Sequence, residues 1–282
     1  MAPRLHQRRL HRLHQQQERE VVSQQKNNKK ISFSELKIWN DCAFKHKLSY
    51  LDKISGFAGN EYTAFGKAVH TVCESLVLDQ TIDTQAEFKK NFVNEIKSLP
   101  NFESINKKLV VDMSNQAKDL FDFIVPELRE YFGEYEVFKI EEPLFEEIIE
   151  FNTDYNFKGF VDLILKTKDG KYHVIDWKTC SWGWRTDKKS DSMTSYQLSL
   201  YKNYFSNKYS IDPNDVRTHF ALLKRTAKGK KVEIFEVTNG KKRVSNAVEL
   251  LNKAITNINN KNYIKNRLSC GYCEFHKTSH CT

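Results

Sequence analysis

Between residues 32 and 131 apolar positions recur every three or four residues, as in the stripe Phe65, Val69, Val72 and Leu76, and this period predicts helices. Ser34 and Thr63 stand where N-caps belong, and residues 109–131 read as one long helix. The period then shortens to two. Strands are predicted at 136–151, 157–166 and 171–178, then a helix over 193–205, strands near 216–223 and 232–237, and a helix over 241–259. No repeat of fixed period interrupts this order. The pattern is that of an α/β protein with a helical subdomain at 31–133, a central mixed sheet flanked by helices at 134–262, and a short cysteine-bearing tail at 263–282.

Residues 1–30 lack such patterning. They are rich in Arg, His and Gln, hold five of the chain's eleven Arg, and read as a disordered basic arm. A mitochondrial transit peptide and a DNA-tracking arm are the functional alternatives for this segment.

The 282 residues, 39% hydrophobic and 12% aromatic, suffice for an enzyme-sized core. No run of about eighteen apolar residues occurs, and no apolar stretch follows the N-terminus, so the expectation is a soluble, intracellular and cytoplasmic protein without membrane partners. The net charge of +9 is concentrated in the first thirty residues, where eight Lys or Arg face two Glu. The remainder is mildly basic, which by itself fits a solvated surface as readily as a nucleic-acid partner.

The candidate chemistry begins with a hairpin. Gly159-Phe160-Val161-Asp162 and Asp176-Trp177-Lys178-Thr179 lie on two predicted strands joined through Asp169-Gly170, a turn signal. Residues two apart on a strand share a face, so Asp176 and Lys178 point the same way while Trp177 points into the core. A two-residue turn would set Asp162 across from Trp177. A three-residue loop of Lys168, Asp169 and Gly170, with Gly170 left-handed, sets Asp162 opposite Asp176 with β-carbons about 5 Å apart. The second register is predicted, because two carboxylates so placed suit a shared divalent cation. An amphipathic hairpin with acids facing water is the plain alternative. Against it, Ile164, Val174 and Ile175 make this a core hairpin, where two acids and a lysine need a partner.

These segments resemble the PD-(D/E)XK nuclease superfamily, specifically the RecB-like exonucleases that include the AddB nuclease domain and CRISPR-adaptation nucleases. The resemblance spans residues 31–282 and also rests on Ser34-Glu35-Leu36, Cys42 ahead of Tyr50-Leu51, Phe65 to His70, Gln197 with Tyr201, and the terminal cysteines. It implies a restriction-endonuclease-like core and a Mg²⁺- or Mn²⁺-dependent deoxyribonuclease. In that reading His70, Asp162, Asp176 and the Trp177 carbonyl hold the metal, Lys178 orients the attacking water, and Gln197 and Tyr201, four apart on one helix face, brace the centre and hold DNA. Glu141 and Glu142 match a glutamate of related enzymes loosely, or merely face solvent. Trp182, Trp184 and Arg185 are candidates to contact a single strand, or an anchored loop.

Cys270, Cys273 and Cys281 give three soft ligands, one short of a closed site. Cys42 stands where iron–sulfur members of the resembled family carry their first cluster cysteine, which implies a structural 4Fe-4S cluster. A mixed zinc site using His46, His276 or His280 is the alternative. Cys73 and Cys180 read as buried thiols. The resemblance points to an exonuclease acting on DNA, single-stranded or with free ends, in recombination, repair or phage DNA processing. A structure-specific endonuclease, or a DNA-binding or assembly module that kept the fold, are the competing readings.

Overall fold

The computed structural model describes residues 29–54 and 56–282. The proposed basic arm lies outside the described residues except for Lys29 and Lys30, which form the start of strand β1 (Lys29–Ser32) rather than a disordered segment. Helix α1 (Phe33–Asp41) follows at once. Its N-cap is Ser32, whose hydroxyl accepts from the Glu35 backbone N–H at 3.2 Å, so the cap falls two residues before the expected Ser34. A short helix α2 (Ala43–His46) runs into a π turn at Lys47–Leu51.

Four helices come next, α3 (Glu61–Leu78), α4 (Thr84–Lys97), α5 (Lys107–Gln116) and α6 (Ile124–Phe132). The cap of α3 is Asn60 and not Thr63. Thr63 is its reciprocal partner: the Asn60 side chain accepts from the Thr63 N–H at 3.1 Å, while Thr63 Oγ1 accepts from the Asn60 N–H at 2.9 Å. The single helix expected over 109–131 is broken between Gln116 and Ile124. Pro126 accounts for the restart, since it lacks an N–H and its ring crowds the Asp122 carbonyl four residues back, and it is accommodated in the first turn of a new helix.

The sheet has six strands, with β2 (Tyr135–Glu147), β3 (Tyr155–Thr167), β4 (Tyr172–Cys180), β5 (Val216–Lys224) and β6 (Val232–Glu236) joining β1. Between β4 and β5 lie α7 (Thr186–Ser190) and α8 (Ser192–Tyr209), and α9 (Lys241–Asn259) follows β6. β4 and β5 are parallel, with α8 as the crossover, and β6 returns antiparallel. Helices α3 to α6 pack on one face against Leu163, Leu165, Ile175 and Trp177. Helices α8 and α9 pack on the other against Ile164, Val174, Phe220 and Leu222. The result is a three-layer α/β/α body with a mixed sheet, a restriction-endonuclease-like fold.

Two features of the sheet create the site. β2 holds one edge of β3 along most of its length, so β1 and β4 must share the other edge. β1 pairs with Tyr155 to Lys158, and β4 with Leu163 to Lys166. The stretch from Gly159 to Asp162 lies in the gap between them. In the same place the sheet changes face: Val161 packs towards α8 and α9 but Leu163 towards α3, where a regular strand would keep both on one side. β2 switches in step, between Ile140 and Glu142, and Glu141 there takes the left-handed region at φ 48°. A non-glycine residue held so in mid-strand carries local backbone strain.

Candidate functional site

The hairpin joining β3 and β4 has the three-residue loop. Thr167 N–H donates to the Lys171 carbonyl at 3.0 Å, Gly170 N–H to the Thr167 carbonyl at 2.9 Å, and Gly170 has φ 82°. Leu163 pairs with Ile175 and Ile164 with Val174. The pairing ends at Leu163 and Ile175, and just beyond it, where the strands separate, Asp162 and Asp176 come close enough for the charge of one to act on the other. The Asp162 carboxylate fills the opening: Oδ2 accepts the Trp177 backbone N–H at 2.7 Å, in place of a ladder carbonyl. The Trp177 ring is buried among the α3 to α6 side chains.

Asp176 is buried on the α8 side of β4. Its Oδ1 accepts from Gln197 Nε2 at 2.8 Å, and Gln197 Nε2 also lies 3.1 Å from the Tyr201 hydroxyl. Its Oδ2 is paired with the Lys178 ammonium at 2.5 Å, so the buried carboxylate is held from both sides. Burial raises the Asp176 carboxyl to about 6, against the pull of Lys178. Burial and the nearby Asp176 charge push the Tyr201 hydroxyl up as well, so it stays protonated. Gly159 permits this packing, because a Cβ there would lie 2.8 Å from the Tyr201 ring.

From the opposite layer, α3 brings His70, whose Nδ1 is 3.7 Å from Asp162 Oδ1. Burial lowers the imidazole, but Asp162 outweighs it and leaves the pKa raised. Residues from α3, β3, β4 and α8 thus meet at one opening, where the structure brings together His70, Asp162, Asp176, Lys178, Gln197 and Tyr201.

Glu74 was not anticipated. It lies four residues after His70 and so on the same face of α3. Burial and then the charge of Glu141 raise its carboxyl to about 9, and Glu141 is hydrogen-bonded to it. The signal available in the sequence was the i, i+4 spacing to His70. Glu142, by contrast, neither joins this group nor faces solvent. It is buried and bonded to Lys208 Nζ at 2.5 Å and to the Tyr209 hydroxyl at 2.7 Å, as a tie between β2 and α8.

After β4, Trp184 is an anchor: it packs on Phe220 at 5.0 Å, and Lys188 sits 4.4 Å over its ring. Trp182 is 71% exposed. Arg185 is exposed and paired with Asp187 at 3.3 Å.

Cys42, Cys270, Cys273 and Cys281 line one cavity of about 40 Å³ between the start of α2 and the tail. Cys42 Sγ accepts the Asn266 N–H at 3.4 Å, and Asn266 also bonds the Asp41 carbonyl at 2.9 Å. His276 lines the same cavity. His46 does not; it is buried with Nε2 2.8 Å from Glu35 Oε1. Cys73 is buried and Cys180 partly so, and all six cysteines are free thiols.

As placed, no three His, Cys, Asp or Glu side chains among the described residues close around a point that would hold a metal ion. The donor chemistry nevertheless fits at both places. Two carboxylates whose charges act on each other at one opening are donors of the kind a hard divalent cation takes, and four thiols lining one cavity are donors of the kind a soft metal takes.

A mixed sheet split around paired acids and a lysine, with helices on both faces, defines the restriction-endonuclease-like class. Comparison with known families agrees: residues 30–278 match the PD-(D/E)XK nuclease superfamily, and the chain belongs to it. Its substrate class is therefore nucleic acid. Among solved structures it is similar to a Eubacterium rectale protein whose name carries a provisional exonuclease assignment, with 13% identity, coverage of 88% of this chain and 86% of that one, and a TM-score of 0.57. A looser likeness is to SSO0001, at 14% identity over 91% of this chain and 88% of that one, with a TM-score of 0.40. No curated protein matches the sequence. No helix among the described residues is long and apolar enough to cross a membrane.

Proposed function

We propose that this chain is a Mg²⁺- or Mn²⁺-dependent deoxyribonuclease that degrades DNA from single-stranded ends, in recombination, repair or phage DNA processing inside the cell. The observation that carries the reading is the closeness of Asp162 and Asp176, whose charges act on each other where β3 and β4 separate, with Lys178 on the Asp176 carboxylate. Asp162, Asp176, the Trp177 carbonyl and His70 would hold the cation, which when bound supplies Lewis acidity and an acidified water. His70 does so as a neutral imidazole, which requires the loss of its proton when the cation replaces the attraction of Asp162.

Lys178 places a positive charge beside the acids, where it orients the attacking water and offsets charge that builds on the phosphoryl oxygens. Gln197 fixes the Asp176 carboxylate through Oδ1, while Oδ2 faces Lys178, which would share it with the cation. Tyr201 buttresses Gln197 and closes the gap at Gly159. Cys42, Cys270, Cys273 and Cys281 are assigned to a 4Fe-4S cluster that ties residues 263–282 to the α1–α2 junction. Zinc bound by the same thiols with His276 is the alternative favoured by the position of that histidine.

The test is end-labelled and circular single-stranded DNA incubated with Mg²⁺ or Mn²⁺, comparing wild type with Asp176→Ala and Lys178→Ala. Cleavage of linear DNA alone, lost in both variants, is expected. Cleaved circles would make the enzyme an endonuclease, and cleavage surviving in the variants would remove these residues from the site. Binding without cleavage by the wild type would leave a DNA-binding module.

A further inference from the structure

Helices α3 to α6 cover one face of the sheet from Leu163 onward, but not the half of that face on the other side of Asp162. Phe157 and Val161 are buried towards α8 and α9, so Lys158 and Phe160 between them point the opposite way, onto the uncovered half. Phe160 is 42% exposed there, unusual for a phenylalanine two residues from a buried catalytic acid. Beside it on β2, Phe145 pairs in register with Lys158 and meets Phe160 edge-on, with ring centres 5.5 Å apart at 87°. Each ring carries a cation: Lys30 Nζ of β1 lies 5.0 Å from the Phe145 centre, and Lys158 Nζ 6.0 Å from that of Phe160. Among the described residues these two ammonium groups rest on rings rather than on carboxylates, whereas neighbouring Lys29 is paired with Asp154 at 3.1 Å.

We propose that this open half-sheet is the track along which a single nucleic-acid strand reaches the catalytic gap, with Phe160 stacking on an unpaired base and Lys158 and Lys30 taking phosphates. The assignment rests on the nuclease reading and names the form of its substrate. Aromatic faces alternating with lysines match the two surfaces of a single strand, bases and phosphates, and suit it better than an apolar protein partner, which would leave the lysines unpaired. The patch adjoins the chemistry, since Lys158 and Phe160 share one face of β3 and Asp162 follows two residues after Phe160, where the strand changes face. Their spacing of about 6.7 Å per pair is on the scale of one extended nucleotide. A duplex would not satisfy the ring, because its bases are already stacked on one another.

The experiment uses the full chain and fluorescent oligothymidylate, with Ca²⁺ replacing Mg²⁺ in binding assays and Mg²⁺ present in kinetic ones. Phe160→Leu keeps an apolar cover but no stacking face, and Phe160→Ala removes both. Each is expected to weaken binding about tenfold and to raise KM similarly with kcat unchanged, at unaltered melting temperature. Lys158→Ala is expected to reduce the slope of log affinity against log salt by about 0.7. A single abasic residue scanned along the oligonucleotide is expected to weaken wild-type binding at one position near the end, and Phe160→Leu is expected to lose that sensitivity.

Wild-type affinity in Phe160→Leu, or abasic sensitivity kept in it, overturns the track while leaving the nuclease reading intact. Equal loss of duplex and single-strand binding in that variant overturns the single-strand assignment. A wild type that binds with the expected abasic signature yet cleaves nothing upholds the track and overturns the nuclease reading. A wild type that neither binds nor cleaves overturns both.

Discussion

The Trp177 backbone N–H donates to Asp162 Oδ2 at 2.7 Å, so the acid proposed to bind the catalytic cation also closes the hydrogen-bond ladder where β3 and β4 separate. One residue therefore has two roles that substitution can separate. Asn at this position keeps an oxygen for the Trp177 N–H but not the charge. Asp162→Asn is expected to melt close to wild type and to lose about a thousandfold in cleavage rate. Asp162→Ala leaves a buried N–H without an acceptor and is expected to lose about 1–3 kcal/mol of stability in addition. Thermal melts beside a cleavage assay test this. Equal stability of the two variants would show that the hydrogen bond does not hold the opening.

Asp176 is a source of instability in the metal-free protein. Burial raises its carboxyl from 3.8 to about 6, although Lys178 opposes the shift. Because the folded value is the higher, the folded state holds the proton more tightly. The stabilisation from that proton is complete below about pH 4 and is lost as pH rises to 6, with a cost on the order of 1–3 kcal/mol at neutral pH. Asp176→Asn is expected to remove this dependence, so its melting temperature relative to wild type rises between pH 4 and pH 7 in EDTA. Mn²⁺ is expected to stabilise the wild type and not the variant. Parallel melting curves across that range, or equal Mn²⁺ stabilisation, would count against the assignment.

Glu74 and Glu141 form a hydrogen-bonded carboxyl pair. With Glu74 raised to about 9, chiefly by burial, it is protonated at pH 7 and Gln is a close mimic. The sign is the same as for Asp176: the stability due to the raised carboxyl is present below about 4.5 and lost as pH climbs to 9. Glu74→Gln is expected to match wild type near pH 5 and to exceed it in melting temperature by several degrees at pH 9. A variant that tracks the wild type across that interval would place the proton elsewhere.

The hairpin register was legible in the sequence because Asp169-Gly170 and the apolar alternation of Ile164, Val174 and Ile175 admit few loop lengths, and a lone pair of acids on a core hairpin selects among them. Long-range meetings were legible only through resemblance: nothing in the local pattern around His70 or Gln197 says that α3 and α8 approach β4 from opposite faces. Strand β1 was missed because four residues, two of them lysines, carry no period. The break near Pro126 was legible in principle, since proline ends a helix upstream of itself, but the apolar stripe on either side concealed it. Glu141 was legible only as a loose match to a glutamate of related enzymes, without its partner Glu74. Its role depends on a strained φ and on β2 changing face in step with β3, and neither leaves a mark in a single sequence.

Cys42 and the tail cysteines lie at opposite ends of the chain, so whatever binds them also closes a loop of more than two hundred residues. A metal held there in the folded state alone would stabilise the whole body, by mass action on folding. The local hydrogen bonds already favour the arrangement: Asn266 reaches the Asp41 carbonyl and the Cys42 sulfur, and the Ser269 hydroxyl donates to the Asp41 carbonyl at 2.8 Å. Protein purified without oxygen is expected to carry iron with broad visible absorption, and Cys42→Ser to lose both together with several degrees of melting temperature. Cys73→Ser, in the α3 core, is expected to leave the absorption unchanged. Zinc without colour would replace the cluster by a mixed thiolate site, and His276→Ala would then release the metal. Metal-free protein that melts identically in wild type and Cys42→Ser would mean that the four thiols hold nothing.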